Sequence, residues 1–429
     1  SSLSIAAFYG CAVRLIGPAP ALAACAAYGL SWAAQSNEIA SYRLETLGLP
    51  LIFASLACSA ALLDSKTRRP HAWGATSTAL LLAAFASWHF TRFYLATSLL
   101  ATGLAYGRTR DRRLFLAAAY AAAAGFLAFL LLPSARESSY SHVYGLLFAK
   151  LAHGLRHPAD PALLSPIQRL EWTGPSNSPD PGLALFALLP LGLIAAPRAW
   201  ARLRGEDPEP ATFGVLADTL FWIYLAGTAL VSRLIPFLAF FLGLLALRLP
   251  RRLAVTSWLP LMLAAIALLE AFKCLAPASP LNPFMRLSAP FASDELRPTV
   301  SLSDERQLLA WLRRYGGPER PTLAPMGLSA EILVYGDTPV LLQPKWETAG
   351  VRAKTAEYAS SLFESEEAFA AYCTRYGARL IVHGADTLLD ETPEGLRYAS
   401  GRMSLRADSA AFLLHFHPDR LKRFRLVFQ

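Results

Sequence analysis

Charge is what this sequence has least of. Asp, Glu, Lys and Arg make up 17% of its 429 residues, where a soluble domain carries about 25%, and the deficit excludes an ordinary soluble enzyme. Cysteine is scarce too. Of the five, Cys11, Cys25, Cys58 and Cys274 lie in or beside apolar runs and Cys373 stands in the polar part, so neither a disulfide framework nor a zinc-ligand spacing exists. The G-x-G-x-x-G, P-loop, H-E-x-x-H and G-x-S-x-G patterns are missing, which removes the usual signals of nucleotide, zinc-protease and serine-hydrolase chemistry. The chain opens at Ser1 inside an apolar run with no initiator Met, basic n-region or cleavage site. It reads as a fragment lacking its true N-terminus.

What is present is apolar. Hydrophobic residues make up 54% of the chain and the mean hydropathy is +0.35, although the last third has the composition of a soluble domain. The first two thirds are therefore more apolar than a globular core requires, as in a polytopic α-helical membrane protein. The net charge of +9 comes largely from Arg clusters in short loops, which are topology signals, and nucleic acid is excluded as a partner. About ten apolar runs are read as spans: 3–13, 18–32, 47–63, 75–88, 93–106, 114–132, 182–196, 213–230, 234–247 and 253–272. The first six are dense in Ala, Gly and Ser, which suits close packing where lipid supplies no hydrophobic drive between helices.

Alternating loops differ in charge. Those after runs 1, 3, 5, 7 and 9 hold Arg14; Lys66, Arg68 and Arg69; Arg108, Arg110, Arg112 and Arg113; Arg198, Arg202 and Arg204; and Arg248, Arg251 and Arg252. The opposite loops hold Arg43, Arg92, Arg136, Lys150, Arg156, Arg169 and Arg233, four of them in one long loop shared with Glu137, Asp160, Glu171 and Asp180. By the positive-inside rule the C-terminal domain lies outside, on the periplasmic or extracellular face. The expected organisation is a transmembrane helical domain at 1–275, with a long outer loop at 133–181, and a soluble α/β domain at 276–429.

The outer loop is too long for a passive connection. Its 140–156 portion sets Val143, Leu147, Leu151 and Leu155 at helical spacing, with His142, Lys150 and His153 among the rest, and reads as a helix lying in the membrane interface. The stretch from Glu171 to Pro181 is turn-rich. Beyond it, Ser303-Asp-Glu-Arg opens a helix with Leu308, Leu309 and Leu312 on its apolar side. Strand-like runs are expected at 322–324, 331–335, 339–342 and 379–383, with a helix at 366–376.

Ionisable groups near spans are functional candidates by default. The outer ends carry Asn37, Glu38, Arg43 and Glu45, then His89 and Arg92, then Glu171, Arg233 and Glu270. Arg92 and Arg233, joined by His89, are candidates for binding the phosphate of a lipid head group, because guanidinium pairs bidentately with phosphate and stays charged. Each has a plainer reading: the arginines snorkel from short spans, Glu45 is a first-turn acid favoured by the helix dipole, and His89 beside Trp88 and Phe90 belongs to an aromatic belt. Asp218, towards the inner end of its run, reads as a packing residue. His415 and His417, in a strand-like run, read as surface or core residues rather than a metal pair.

Taken in order, several blocks resemble the C-type (GT-C) membrane glycosyltransferases, and most closely the oligosaccharyltransferase catalytic subunit and its bacterial relatives. Ala7-Phe-Tyr-Gly through Leu15-Ile-Gly-Pro-Ala-Pro resembles the helix pair after the family's first outer loop, and Arg43-Leu-Glu-Thr-Leu-Gly-Leu-Pro-Leu its second acidic motif. Arg233-Leu-Ile-Pro-Phe resembles the block with the late-helix arginine, Leu308-Leu-Ala-Trp-Leu-Arg the opening of the soluble domain, and Phe424-Arg-Leu-Val-Phe its closing strand. The resemblance implies transfer of a sugar from a polyprenyl-(di)phosphate donor to a protein or glycan acceptor outside the cytoplasm, in a bacterial inner membrane. It also implies a divalent metal, Mg or Mn, on carboxylates, with Glu45 and Glu171 as catalytic residues and metal ligands and Arg233 near the lipid phosphate. The sequence departs from the family at Leu47, where the second motif has an acid or His, and near Leu323-Ala-Pro-Met-Gly, where no W-W-D-Y-G stands. These departures favour the alternative of a non-catalytic GT-C-like subunit of a larger membrane complex, whose partners are other membrane subunits and lipids. A transporter is disfavoured, since no inverted repeat is evident.

Overall fold

The computed structural model describes residues 2–31, 45–88, 90–133, 141–173, 178, 212–246, 302–343, 348–393 and 395–428. In chain order the helices are α1 (Ser2–Ile16), α2 (Pro18–Leu30), α3 (Glu45–Leu63), α4 (Pro70–Ser87), α5 (Thr91–Thr109), α6 (Arg113–Leu131), α7 (Ser141–Ala152), α8 (Pro166–Thr173), α9 (Thr212–Leu230), α10 (Ile235–Ala246), α11 (Leu302–Tyr315), α12 (Met326–Tyr335), α13 (Ala349–Leu362), α14 (Glu366–Tyr376), α15 (Ala385–Leu389), α16 (Leu396–Ser400) and α17 (Ala410–Phe416). Two short strands, β1 (Thr322–Leu323) and β2 (Leu380–Ile381), pair in parallel with Thr322 opposite Leu380. The chain is thus mostly helical. It divides into two compact units, one of Ser1–Glu137 with Ser178–Ser293 and one of Ser138–Asn177 with Asp294–Gln429. The loop segment carrying α7 and α8 clusters with the C-terminal residues.

In the helical unit, eight of the expected apolar runs are helices, and the runs 182–196 and 253–272 lie outside the described residues. Two helices, α6 and α9, are long and apolar enough to cross a bilayer. α3 packs on α1 and α4, α6 on α4 and α5, and α9 on α5 and α10. Close approach depends on glycine at two contacts. A Cβ at Gly48 would sit 2.5 Å from the Cβ of Trp88, and one at Gly74 would sit 2.2 Å from the Tyr120 ring. The centre is aromatic: Phe53 stacks on Phe240 with centroids 4.0 Å apart, Phe8 on Tyr28 at 4.5 Å and Tyr224 on Phe237 at 4.7 Å. The buried Tyr224 hydroxyl meets Thr97 Oγ1 at 2.9 Å, which supplies the polar partner that a buried phenol needs.

Helix ends alternate within this unit. At one end Arg14 lies over the Trp73 ring, Arg113 donates to the Ser65 carbonyl at 3.4 Å, and Thr212 donates to Asp111 at 2.6 Å. Asp218, 4% exposed, sits two turns into α9 from this end. At the opposite end Ser178 donates to the Leu230 carbonyl at 3.1 Å. The outer surface is apolar, with Phe115, Phe126, Phe129 and Leu131 of α6 each more than half exposed.

The C-terminal unit has a hydrophobic core of its own. Its main core gathers Leu323, Leu342, Tyr358, Leu362, Phe369, Tyr372 and Cys373, and α11 packs Leu308, Leu309 and Leu312 on Ala324 and Ile332 as expected. The predicted helix 366–376 has those bounds. Ser365 accepts the Ala368 amide, two glutamates fill the first turn, and Gly377 at φ 73° ends it in the left-handed region.

Several expected strands are corrected. Residues 331–335 are the end of α12, because an unbroken apolar run carries no period that separates strand from helix; Ile332 is buried while Leu333, Val334 and Tyr335 are exposed. Residues 339–342 contribute one parallel bridge, Val340 to Thr322. His415 lies in α17 and His417 just after it. Residues 424–428 form no strand: Phe424 packs on Phe369 and Phe428 on Trp311, while Glu366 Oε1 accepts the amides of Lys422 and Arg423 at 2.8 and 2.6 Å.

Candidate functional site

Glu45, Arg92 and Arg233 open α3, α5 and the turn before α10, and the backbone starts of these helices meet at one end of the helical unit. Trp88 joins them. Its Cβ touches Gly48 in the first turn of α3, and its ring stacks on Phe237 in the first turn of α10 at 6.3 Å. Tyr94, one turn into α5, stacks on the same Phe237 at 6.1 Å. This is the end where Ser178 meets Leu230. Arg92 is half-buried and Arg233 exposed. The side chain of Glu45 and all of His89, Asn37, Glu38, Arg43 and Glu270 lie outside what the structure describes.

Glu171 belongs to the C-terminal unit and is 2% exposed there. α8 begins with a reciprocal cap, Ser165 Oγ accepting the Gln168 amide at 3.3 Å and Gln168 Oε1 accepting the Ser165 amide at 2.8 Å. Gln168 Nε2 then donates to the Gly145 carbonyl of α7 at 3.0 Å, which sets the two helices side by side. Glu171 Oε1 consequently lies 2.9 Å from His142 Nε2. Two turns further along α7, Lys150 is fully buried with its ammonium 5.7 Å from the centre of the Trp172 ring, a cation–π arrangement strengthened by desolvation. Burial lowers the Lys150 pKa to about 8. His157, 4.8 Å from Trp172 and 5.4 Å from Tyr398, is lowered to about 4 by burial and then by the Lys150 charge.

These groups lock the loop segment to the C-terminal residues. Tyr398 donates to the Pro158 carbonyl at 2.7 Å, and Arg169 donates to the carbonyls of Ala399 and Pro161, each at 3.1 Å. Gly401, at φ 79°, leaves room that a Cβ would take 2.6 Å from Arg169. Ser165-x-x-Gln168 is a capping pattern that would locate the start of α8, but it was not among the features read from the sequence. Lys150, His157 and Tyr398 carry no such signal, because a lone cation or aromatic in a loop defaults to solvent.

A cavity of about 520 Å³ lies elsewhere in this unit, lined in part by Glu367, Cys373, Arg379, Arg423 and Phe424. Burial pushes the Cys373 thiol up to about 12, which disfavours its thiolate at neutral pH. Among the described residues no group of three or more His, Cys, Asp or Glu is gathered as metal ligands, and Glu171 is engaged by His142. Comparison with protein-family models gives no match, and no curated protein matches the chain.

Proposed function

We propose that the chain is a polytopic membrane protein of the GT-C kind, with about ten spans, that transfers a sugar from a polyprenyl-(di)phosphate to an acceptor on the outer face. The observation that carries this reading is the convergence of the Glu45, Arg92 and Arg233 helix starts around Trp88. As the anomeric carbon–oxygen bond breaks, negative charge grows on the leaving phosphate, and two guanidiniums at one mouth stabilise it more than they stabilise the ground state. The acceptor must lose a proton as it attacks. Glu45 is the carboxylate assigned to receive it.

A second reading, a non-catalytic subunit of a membrane complex, is favoured by Glu171. A carboxylate 2% exposed and 2.9 Å from an imidazole is an anchor for α8 rather than a group open to substrate. The two readings separate in a glycan-transfer assay with polyprenyl-linked sugar. Catalysis predicts that Glu45→Gln and Arg233→Gln each lower turnover by about 10²-fold or more at unchanged protein level. Wild-type turnover in both variants would leave the subunit reading.

A further inference from the structure

α7 is amphipathic in an inverted sense. The side it turns into the C-terminal unit carries His142, Leu146 and Lys150, which meet Glu171, Trp172 and Tyr398. The side it leaves outward carries Tyr144, Phe148 and Leu151, which are 66%, 73% and 61% exposed. Leu155 and Leu163 continue this apolar set beyond the helix end, and Arg156 is exposed beside Leu155. The polar groups of α7 are thus spent on its own unit while its aromatic and aliphatic groups face out, an arrangement that water alone disfavours.

We infer that this outward ridge seats in the interfacial layer of a lipid bilayer and so ties the C-terminal unit to the membrane surface. The occupant is a bilayer rather than a protein because of where the ridge stands in the chain. α7 follows, after residues 132–140, the membrane-length helix α6, whose last turns also expose Phe126, Phe129, Leu130 and Leu131. Its composition fits the same surface: a Tyr and a Phe on the apolar line with an Arg at its end match the headgroup boundary, where amphipathic rings and a cation are both favoured. The face differs from the stripe expected from spacing. Val143 and Leu147 are half-buried, and the exposed line runs one position on, through Tyr144 and Phe148.

The inference rests on the reading of the chain as a membrane protein, and the test separates the two. The full chain is reconstituted in phosphatidylcholine–phosphatidylglycerol nanodiscs, with a nitroxide placed in turn on Phe148→Cys, Leu151→Cys, Phe126→Cys and Ser404→Cys, and spin relaxation by oxygen and by a water-soluble nickel chelate is compared. Ser404 is an exposed position of the C-terminal unit outside the ridge. The expected result is an oxygen-to-nickel accessibility ratio at 148 and 151 several-fold above that at 404 and between those at 404 and 126. A high ratio at 126 with water-like values at 148 and 151 would overturn the docking while leaving the membrane reading intact. Water-like values at all four positions would overturn both. A label at 148 that is immobilised and shielded from both reagents would assign the ridge to a protein neighbour and overturn the lipid assignment.

Discussion

In the helical unit four helices start on Gly17, Arg69, Phe90 and Arg112, whose own side chains make no cap, although Asp111 Oδ1 accepts the Arg113 amide at the start of α6 at 2.9 Å. Three helices of the C-terminal unit start on Thr348, Ser365 and Ser409, each accepting an amide of its own first turn, while α12 and α16 start on Pro325 and Gly395 without one. Hydroxyls also bond carbonyls inside helices in both units: Thr97 donates to the Phe93 carbonyl, Thr219 to that of Val215 and Ser59 to that of Ser55 in the helical unit, and Thr355 to that of Val351 in the C-terminal unit. Ion pairs such as Arg402–Glu364 and Arg406–Asp408 decorate the C-terminal unit, where the helical unit shows phenylalanine and leucine. On the proposed membrane reading, the difference in surface is one of solvent. In water an uncapped amide has a competing partner and the cap sets the boundary, whereas in an apolar medium a helix persists because its backbone has nowhere else to bond.

Trp172→Ala should break the comparison most. The ring is fully buried at the join of loop segment and C-terminal residues, and its loss is expected to cost about 3–5 kcal/mol. Hydrogen exchange should then rise at residues 141–173 and 396–403 and stay unchanged in α3 to α6. Exchange rising equally in both units would mean that they do not unfold separately.

Acid should act on the same unit. His157 and His383 are both held at about 4, the first by burial and Lys150, the second by burial and His415. The unfolded chain binds those protons first, so stability is lost as pH falls from about 6.5 towards about 4. Lys150 does not oppose this. With its folded pKa near 8, its stabilising change comes only as pH rises above that value. Denaturant midpoints of the C-terminal unit measured from pH 7 to pH 4.5 should fall, and His157→Phe should flatten part of the slope.

Two smaller changes sharpen the contrast from each side. Thr97→Val strands the Tyr224 hydroxyl in the aromatic centre and should cost about 1–3 kcal/mol, seen as a lower melting temperature of the helical unit in detergent. Ser365→Ala removes one cap and should cost about 1 kcal/mol, read as faster exchange in the first turn of α14.

Local signals sufficed where one periodicity and one cap spoke together. The helix 366–376 was legible because serine, two glutamates and a terminal glycine bracket an amphipathic run, and the eight described apolar runs were legible as helices from length alone. The candidate site was legible only as residue types. Arg92, Arg233 and Glu45 stood out as charges beside apolar runs, but nothing in the sequence tells that Trp88 would hold their helix starts together.

Composition by itself determined the division between an apolar helical part and a polar C-terminal part, since burial of apolar surface and the scarcity of charge act on each segment independently of its neighbours. Tertiary structure alone decided that Glu171 and Lys150 are interior, that α7 turns His142 and Lys150 inward, and that 331–335 is helical. Those outcomes depend on partners distant in sequence: Tyr398 and its neighbours enclose the loop segment, and a side chain's cost of burial is set by what encloses it.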